Sequence, residues 1–591
     1  MSGRLRWIAF LLFCAAGWTA FALLFSRSEA SGKEWRTTAS RADVIAAARK
    51  IALEYGLDTA DWDFSVTAQS RRARRLARFE RPNSPLVASF PSMEYVVVGS
   101  RSATPSRARI VLAQDLRPLA FRSYGPRRRP DGRGPAGKAP DGKGPDGRGR
   151  GFGWRMRGEQ GPGPGPEGPP PGVSREAVDI SSQLALYAGA NAGRYRQTSF
   201  AVPTPEGLRS AWEWTDEASH GIVARLQVFV RRGQIHRAEH ELDIAPAVIA
   251  SRLSPYELPQ SFAAPTRPLL IAGTLFICFW YLFRSLARTF VPLRFALALL
   301  PMILIPLLAD FLLGPDRDRT VISALQQNTT PSAASTAGLV GIGLACAGFA
   351  VVLASGRSIL PRTQRPLWLS LQYLYLRKPA VRRVGVEVLA GLAAGPAIAA
   401  ATYVLQAMSG REDVLARMVS TPMFLTAEHP WAAALGDGVP WIPVPSFGFV
   451  AVWLSHAIRR RWLAGVLLAL YGTAAVLLYM DPLPGSRPLA IGSSALVFMA
   501  MWFTWRSCGL LGVWMSSFSV PAAVMSGAFL NNGMKAEALS AAAPVLLMAL
   551  AGAGAALFGR REDESEGIES FEIQPREHII SERARLDAEF A

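Results

Sequence analysis

Cysteine is scarce in this chain of 591 residues, which holds four: Cys14, Cys278, Cys346 and Cys508. All four lie in or at the ends of apolar runs. A disulfide framework is therefore excluded for the hydrophilic part, and no C-x-x-C pair is present to hold zinc. Phe13, just before Cys14, is a poor match to a lipoprotein cleavage site. Histidine is scarce as well, at six residues. No H-E-x-x-H pattern, Glu-Glu dipeptide, phosphate-cradling P-loop, kinase signature or dinucleotide fingerprint occurs. These absences leave no catalytic residue, no metal site and no cofactor site to assign.

Acidic residues are outnumbered, with 64 Lys and Arg against 45 Asp and Glu, a formal charge of +19. Nucleic acid is not the expected partner, because the excess sits in a Pro/Gly-rich linker and in short loops between apolar spans. The linker, residues 125–173, includes PDGRGPAGKAPDGKGPDGRGRG and GPGPGPEGPPPG. Its glycines lack a strict three-residue period, so collagen is a poor fit, and it reads as a disordered basic spacer.

Apolar residues make up half the chain and cluster after residue 266. They form runs of about 18 to 25 residues, enough to cross a bilayer core of about 30 Å. An anchor at 1–25 precedes a hydrophilic region at 26–266. Nine further spans are read at 267–284, 289–313, 336–355, 384–408, 441–458, 462–480, 488–506, 508–530 and 539–558. The expected fold is thus an α-helical polytopic membrane protein of about ten transmembrane helices with a tandem α+β extracytoplasmic domain. Basic residues sort onto alternate short loops: 17 Lys and Arg fall in the short segments on the side of the N-terminus and 6 in the short loops on the other. That bias predicts a multi-pass protein of a bacterial-type inner membrane, with cytoplasmic termini and residues 26–266 outside. The short segment Leu367–Leu376 is flanked by arginines and predicts an interfacial helix.

The hydrophilic region repeats itself weakly. SRADVIAAARKIALEYG from Ser40 and SREAVDISSQLALYAG from Ser174 both begin with an N-capping serine and an early acidic residue. Strand-like runs follow at Tyr95–Val98 and Ala108–Leu112, then at Ile222–Val230 and Ile235–Leu242. Two α+β modules are expected, at 26–124 and 174–264, each a helix on a short antiparallel sheet. This order of elements resembles PepSY-like modules. His236 and His240, four apart, are expected to share a strand face.

Within the bundle at 265–558, three ionisable residues stand in or beside apolar spans: Asp310, Glu387 and His456. Asp310 and Glu387 are expected as ion pairs near opposite ends of their spans, which argues against a shared proton relay. The hydropathy and modules also resemble intramembrane proteases of the CAAX type (CPBP). That family uses a Glu-Glu pair and separated histidines, and here only His429 and His456 lie in the bundle. Gly492-Ser493-Ser494 lacks the glycine of a rhomboid-type serine motif, since Ala495 follows.

The tail, 559–591, closes with HIISERARLDAEFA. Ile579, Leu586 and Phe590 are spaced for the seam of a two-stranded coiled coil, which predicts a homodimer. Glu582, Arg583, Arg585, Leu586, Glu589 and Phe590 resemble the helix that opens the catalytic region of SpoIIE/RsbU-type PPM serine/threonine phosphatases. The resemblance implies a membrane sensor for signal transduction whose phosphatase output, with its Mg or Mn, lies beyond Ala591, or a tail that docks a cytoplasmic signalling partner. The competing readings are a non-catalytic relative of the CAAX-type proteases and a transporter.

Overall fold

The computed structural model describes residues 3–31, 39–69, 84–91, 93–100, 107–124, 180–215, 222–231, 234–244, 299–314, 336–344, 369–375, 378–408, 427–438, 460–479 and 487–560, with isolated positions in 269–297 and 346–350. An eight-stranded antiparallel sheet follows the first long helix, and a bundle of apolar helices follows the sheet.

Helix α1 (Gly3–Ser31) is apolar on every side. Phe10, Cys14, Phe21 and Leu24 are buried at helical spacing, while Leu5, Ile8, Leu12 and Leu23 are exposed. An apolar side open to the surroundings is what lipid, not water, would cover.

Helix α2 (Arg41–Glu54) opens on a capping box. The Ser40 hydroxyl accepts from the Asp43 amide at 3.2 Å, and the Asp43 carboxylate accepts from the Ser40 amide at 2.9 Å. Val44, Ala48, Ile51 and Ala52 form its buried stripe. We expect Ser40→Ala to cost about 1 kcal/mol, measured as a lower urea midpoint for loss of amide protection in α2.

Strands β1 (Asp63–Gln69), β2 (Glu94–Ser100), β3 (Arg107–Ala113) and β4 (Pro118–Tyr124) form a meander, with the short helix α3 (Pro85–Ala88) before β2. Helix α4 (Ile180–Ala188) precedes the second meander: β5 (Arg196–Thr204), β6 (Gly207–Thr215), β7 (Ile222–Arg231) and β8 (Gln234–Ile244). The strand order is β1-β2-β3-β4-β8-β7-β6-β5. The two repeats thus join through their last strands into one sheet, the second running back as the mirror of the first.

Side-chain alternation explains the layers. Tyr95, Val97, Ile110, Leu112 and Phe121 meet α2, while Val96, Val98, Val111 and Ala113 are buried on the other face. In the second half, Trp212, Trp214, Ala224, Leu226, Val228 and Ala238 are buried beneath α3 and Tyr187 of α4. Helix α3 comes from the first repeat yet covers the second, so the halves interlock. The opposite face of β6 to β8 carries charged residues, among them Arg225, which pairs with Glu213 at 2.7 Å and Asp243 at 3.1 Å.

The bundle contains α5 (Pro301–Leu313), α6 (Leu369–Tyr375), α7 (Arg382–Met408), α8 (Pro430–Gly438), α9 (Arg461–Tyr479), α10 (Arg487–Asn531) and α11 (Lys535–Phe558). Helix α10 is the most buried of the long helices, and α7 lies along it. The approach is at backbone level: a side chain at Gly391 would meet the Gly512 carbonyl, and one at Gly395 would meet Ser519. Small residues permit such close crossings in apolar surroundings.

Ten membrane-crossing helices are not supported. Among the described residues, four helices are long and apolar enough: α1, α7, α10 and α11. Span 441–458 lies outside the described residues, and 267–284 has only isolated described positions. In 289–313 and 336–355 the helical stretches Pro301–Leu313 and Thr336–Gly348 are too short, as is the apolar stretch Trp462–Leu477. Spans 488–506 and 508–530 are merged in α10, whose helical geometry is broken only at Gly509, with φ 76° and ψ −173°.

Contacts show that α10 reverses at that glycine. Gly492 meets Leu405 near the end of α7, and Phe503 meets Phe10 and Phe13 near the start of α1. Beyond the kink, Gly512 meets Gly391, Ser519 meets Gly395, and Gly527 meets Phe25. The two arms of α10 are thus antiparallel, each about 22 residues or about 33 Å long. Helix α6 packs Leu369, Ser370, Leu371 and Tyr373 into the bundle, so this side of it faces protein.

Candidate functional site

The seam where the repeats meet is the sparsest ladder of the sheet. Strands β4 and β8 share three registered pairs, from Ala120↔Glu239 to Arg122↔Arg237, whereas β7 and β8 share ten. Side chains from both repeats bridge this seam on the helix-covered face. Tyr55, at the end of α2, stacks on Phe121 with ring centroids 4.1 Å apart. Its hydroxyl donates to Gln183 at 2.6 Å and pairs with the Tyr187 hydroxyl at 3.0 Å.

Arg117 forms the second stitch. It leaves a tight β3–β4 turn in which Leu116 has φ 64° and the Asp115 carboxylate accepts from the Arg117 amide at 3.2 Å. Its guanidinium donates to the Tyr187 carbonyl at 3.1 Å and to the Ser89 carbonyl at 3.0 Å. One cation thereby ties the first repeat's turn to the second repeat's helix and to the end of α3.

Desolvation raises the Tyr187 and Tyr55 phenols above the ordinary 10.0, and burial does the same to Tyr195. The unfolded chain ionises these groups near pH 10 while the folded chain holds them neutral. Their contribution to stability is complete below about pH 10 and is lost as the pH rises above it. We expect the thermal midpoint of the sheet to hold steady up to about pH 10 and then fall. Tyr187→Phe should flatten that limb by up to about 1.4 kcal/mol per pH unit, read by tryptophan fluorescence.

His236 and His240 do not share a face. A bulge between Phe229 and Val230 of β7 sets two residues of β8, His236 and Arg237, against one, and the extra residue inverts the alternation. His236 lies beside Phe229 on the face away from α3 and α4, with ring centroids 6.3 Å apart, and Arg237 lies over the same ring at 4.8 Å. Desolvation lowers the His236 pKa. His240 is buried on the other face, its Nε2 2.6 Å from the Tyr195 hydroxyl and its ring 4.5 Å from Phe90. Among the described residues no group of three or more His, Cys, Asp or Glu is placed to hold a metal ion.

The sheet meets the bundle through Met93, which precedes β2. It is 1% exposed, in a cluster with Ala433 and Ala434 of α8, Met525 and Phe529 of α10, and Ala538 and Ala541 of α11. Arg41 adds a long ion pair to Glu428 at 3.9 Å, of little energetic weight because Glu428 is exposed. At the far end of the bundle, α7 and the end of α11 are laced together. Arg382 donates its amide to the Arg560 carbonyl at 3.2 Å, and the Arg560 amide donates to the Ala380 carbonyl at 3.1 Å.

Of the ionisable residues singled out in the bundle, the two that are described, Asp310 and Glu387, are not brought together. Glu387 is buried at the laced end, one turn from Arg383, whose Nε donates to it at 3.1 Å. Ser370 of α6 and Cys508 of α10 adjoin it. Asp310 stands where α5 meets α8, against Gly436, at the end nearer the sheet. His456 and the signalling-helix residues Glu582, Arg583, Arg585, Leu586, Glu589 and Phe590 lie outside the described residues. Sequence reasoning passed over Arg117, Tyr55, Tyr187 and Met93. For Arg117 a signal existed, since an arginine ending an Asp-Leu-Arg-Pro turn is placed to reach across a sheet. For Met93 there was none. No protein-family model, curated protein or solved structure matches the chain.

Proposed function

We propose that this protein is an integral membrane sensor. Its sheet domain receives a signal outside the membrane and passes it through the bundle to the cytoplasmic tail. The observation that carries this reading is the seating of Met93 among α8, α10 and α11. A shift in the sheet displaces a buried side chain held by three bundle helices, and close-packed interiors transmit such displacements. Helices α10 and α11 run from that cluster toward the Gly509 turn and the lacing of Arg382 with Arg560. The sparse β4–β8 seam is the part of the sheet best suited to give.

The proposed orientation follows the positive-inside rule. Arg382, Arg383, Arg506 and Arg560 gather at the end away from Met93, and α1 starts beside Arg6 at that same end. This favours a cytoplasmic laced end in a bacterial-type inner membrane. The output is proposed to be a PPM-type phosphatase module or a docked signalling partner, engaged through pairing of the 580–590 helix in a homodimer. Support for the output rests on the tail's sequence pattern alone.

The test is cysteine cross-linking of Leu586→Cys in membranes, with and without Met93→Asp. The proposal expects a cross-linked dimer whose yield changes at least threefold when Met93 is replaced. No cross-link in either background, or one indifferent to Met93, would overturn it.

A further inference from the structure

On the face of the sheet away from α2, α3 and α4, the strand register lines up one transverse row across the seam. Arg109 of β3 stands opposite Arg122 of β4, Arg122 opposite Arg237 of β8, Arg237 opposite Phe229 of β7, and Phe229 opposite Arg209 of β6. With strands about 4.8 Å apart, the first three arginines stand within about 10 Å of one another. Like charges directly opposite destabilise a sheet unless something compensates them.

Compensation from within the protein is uneven. Arg237 has Glu206 at 2.6 Å and Glu239 at 2.7 Å, and hydrogen bonding to Glu239 leads in holding it charged. Arg109 and Arg122 make no ion pair among the described residues. The Arg122 guanidinium lies over the Tyr124 ring at 5.1 Å, and no acceptor among the described residues meets its donors. The Arg109 Nε is buried and has no acceptor. Two neighbouring guanidinium groups thus carry donors that nothing among the described residues accepts, beside a third, Arg237, whose two terminal nitrogens are each paired with a glutamate.

We propose that Arg109 and Arg122 form a binding site for an oxyanion of the phosphate class. Each guanidinium offers a planar fork of donors that matches phosphate oxygens two at a time. Two forks on adjacent strands call for more acceptor oxygens than a single carboxylate has, and a phosphate group supplies them. The group could arrive as free phosphate or as the phosphodiester of an anionic lipid headgroup. The site would exist whether or not the chain signals.

The test uses the full chain in nanodiscs. In one arm the discs are neutral phosphatidylcholine, and inorganic phosphate is titrated calorimetrically. In the other, one disc in each pair contains phosphatidylglycerol, and the thermal midpoints are compared. Binding in the first arm identifies the free ion, and a raised midpoint in the second alone identifies the headgroup. Either response should weaken at least tenfold, or vanish, in Arg109→Gln and in Arg122→Lys, which keeps the charge but loses the fork. Arg225→Gln, on the same face but paired with Glu213 and Asp243, should retain it. The wild-type arms stand even if a variant fails to fold. No response in either arm, or an undiminished response in Arg109→Gln and Arg122→Lys, would overturn the assignment.

Discussion

Arg117→Ala is expected to loosen the two halves of the sheet from each other while leaving each half folded. The guanidinium closes the seam with two charged hydrogen bonds, to the carbonyls of Tyr187 and Ser89. Hydrogen bonds from charged donors are worth about 1.5–3 kcal/mol, and stranding a buried acceptor costs about 1–3 kcal/mol. Partial exposure of Arg117 lets water replace some of this, so a loss of about 3 kcal/mol is expected. Hydrogen exchange should localise the loss to β4, β8 and α4, with β2 and β6 close to wild type. The three-pair ladder between β4 and β8 cannot make up the difference alone.

Gly391→Leu is expected to have the larger effect, on the bundle. Any side chain there drives into the Gly512 carbonyl, and both helices would have to move apart. Overpacking typically costs about 1–3 kcal/mol, and a clash with backbone in a small-residue crossing should reach or pass the top of that range. The expected outcome is a sharp fall in folded yield and thermal midpoint in detergent. Gly554→Leu is the matched control. It lies on α11 with nothing near its would-be side chain, so its midpoint should stay close to wild type.

Local features of this fold were legible in the sequence, and long-range ones were not. The serine and aspartate of Ser40-Arg41-Ala42-Asp43 mark the start of α2, because capping depends on residues three apart. The runs at Tyr95–Val98 and Ile235–Leu242 fall within β2 and β8. The junction of the repeats has no signature in the sequence, because β4 pairs with a strand more than a hundred residues away and no local pattern sets that register. Simple alternation puts His236 on the face of His240, and a bulge in the β7–β8 pairing invalidates it. The spans 488–506 and 508–530 place a break just after Arg506. The chain makes it as a reversal at one glycine, which can take the positive φ that other residues resist. For the candidate site, composition showed what was missing, but the stitching of the seam by Arg117 and the anchoring by Met93 depend on tertiary neighbours.

The central claim is that the sheet and the laced end of the bundle are mechanically linked. Hydrogen exchange on the full chain in nanodiscs, comparing Met93→Asp with wild type, tests it most directly. The readouts are the amides of Arg382 and Arg560, which bond across the lacing. Faster exchange at both, with α9 unchanged, is the predicted result. Identical exchange at Arg382 and Arg560 in a variant whose Met93 cluster has demonstrably opened would contradict the account.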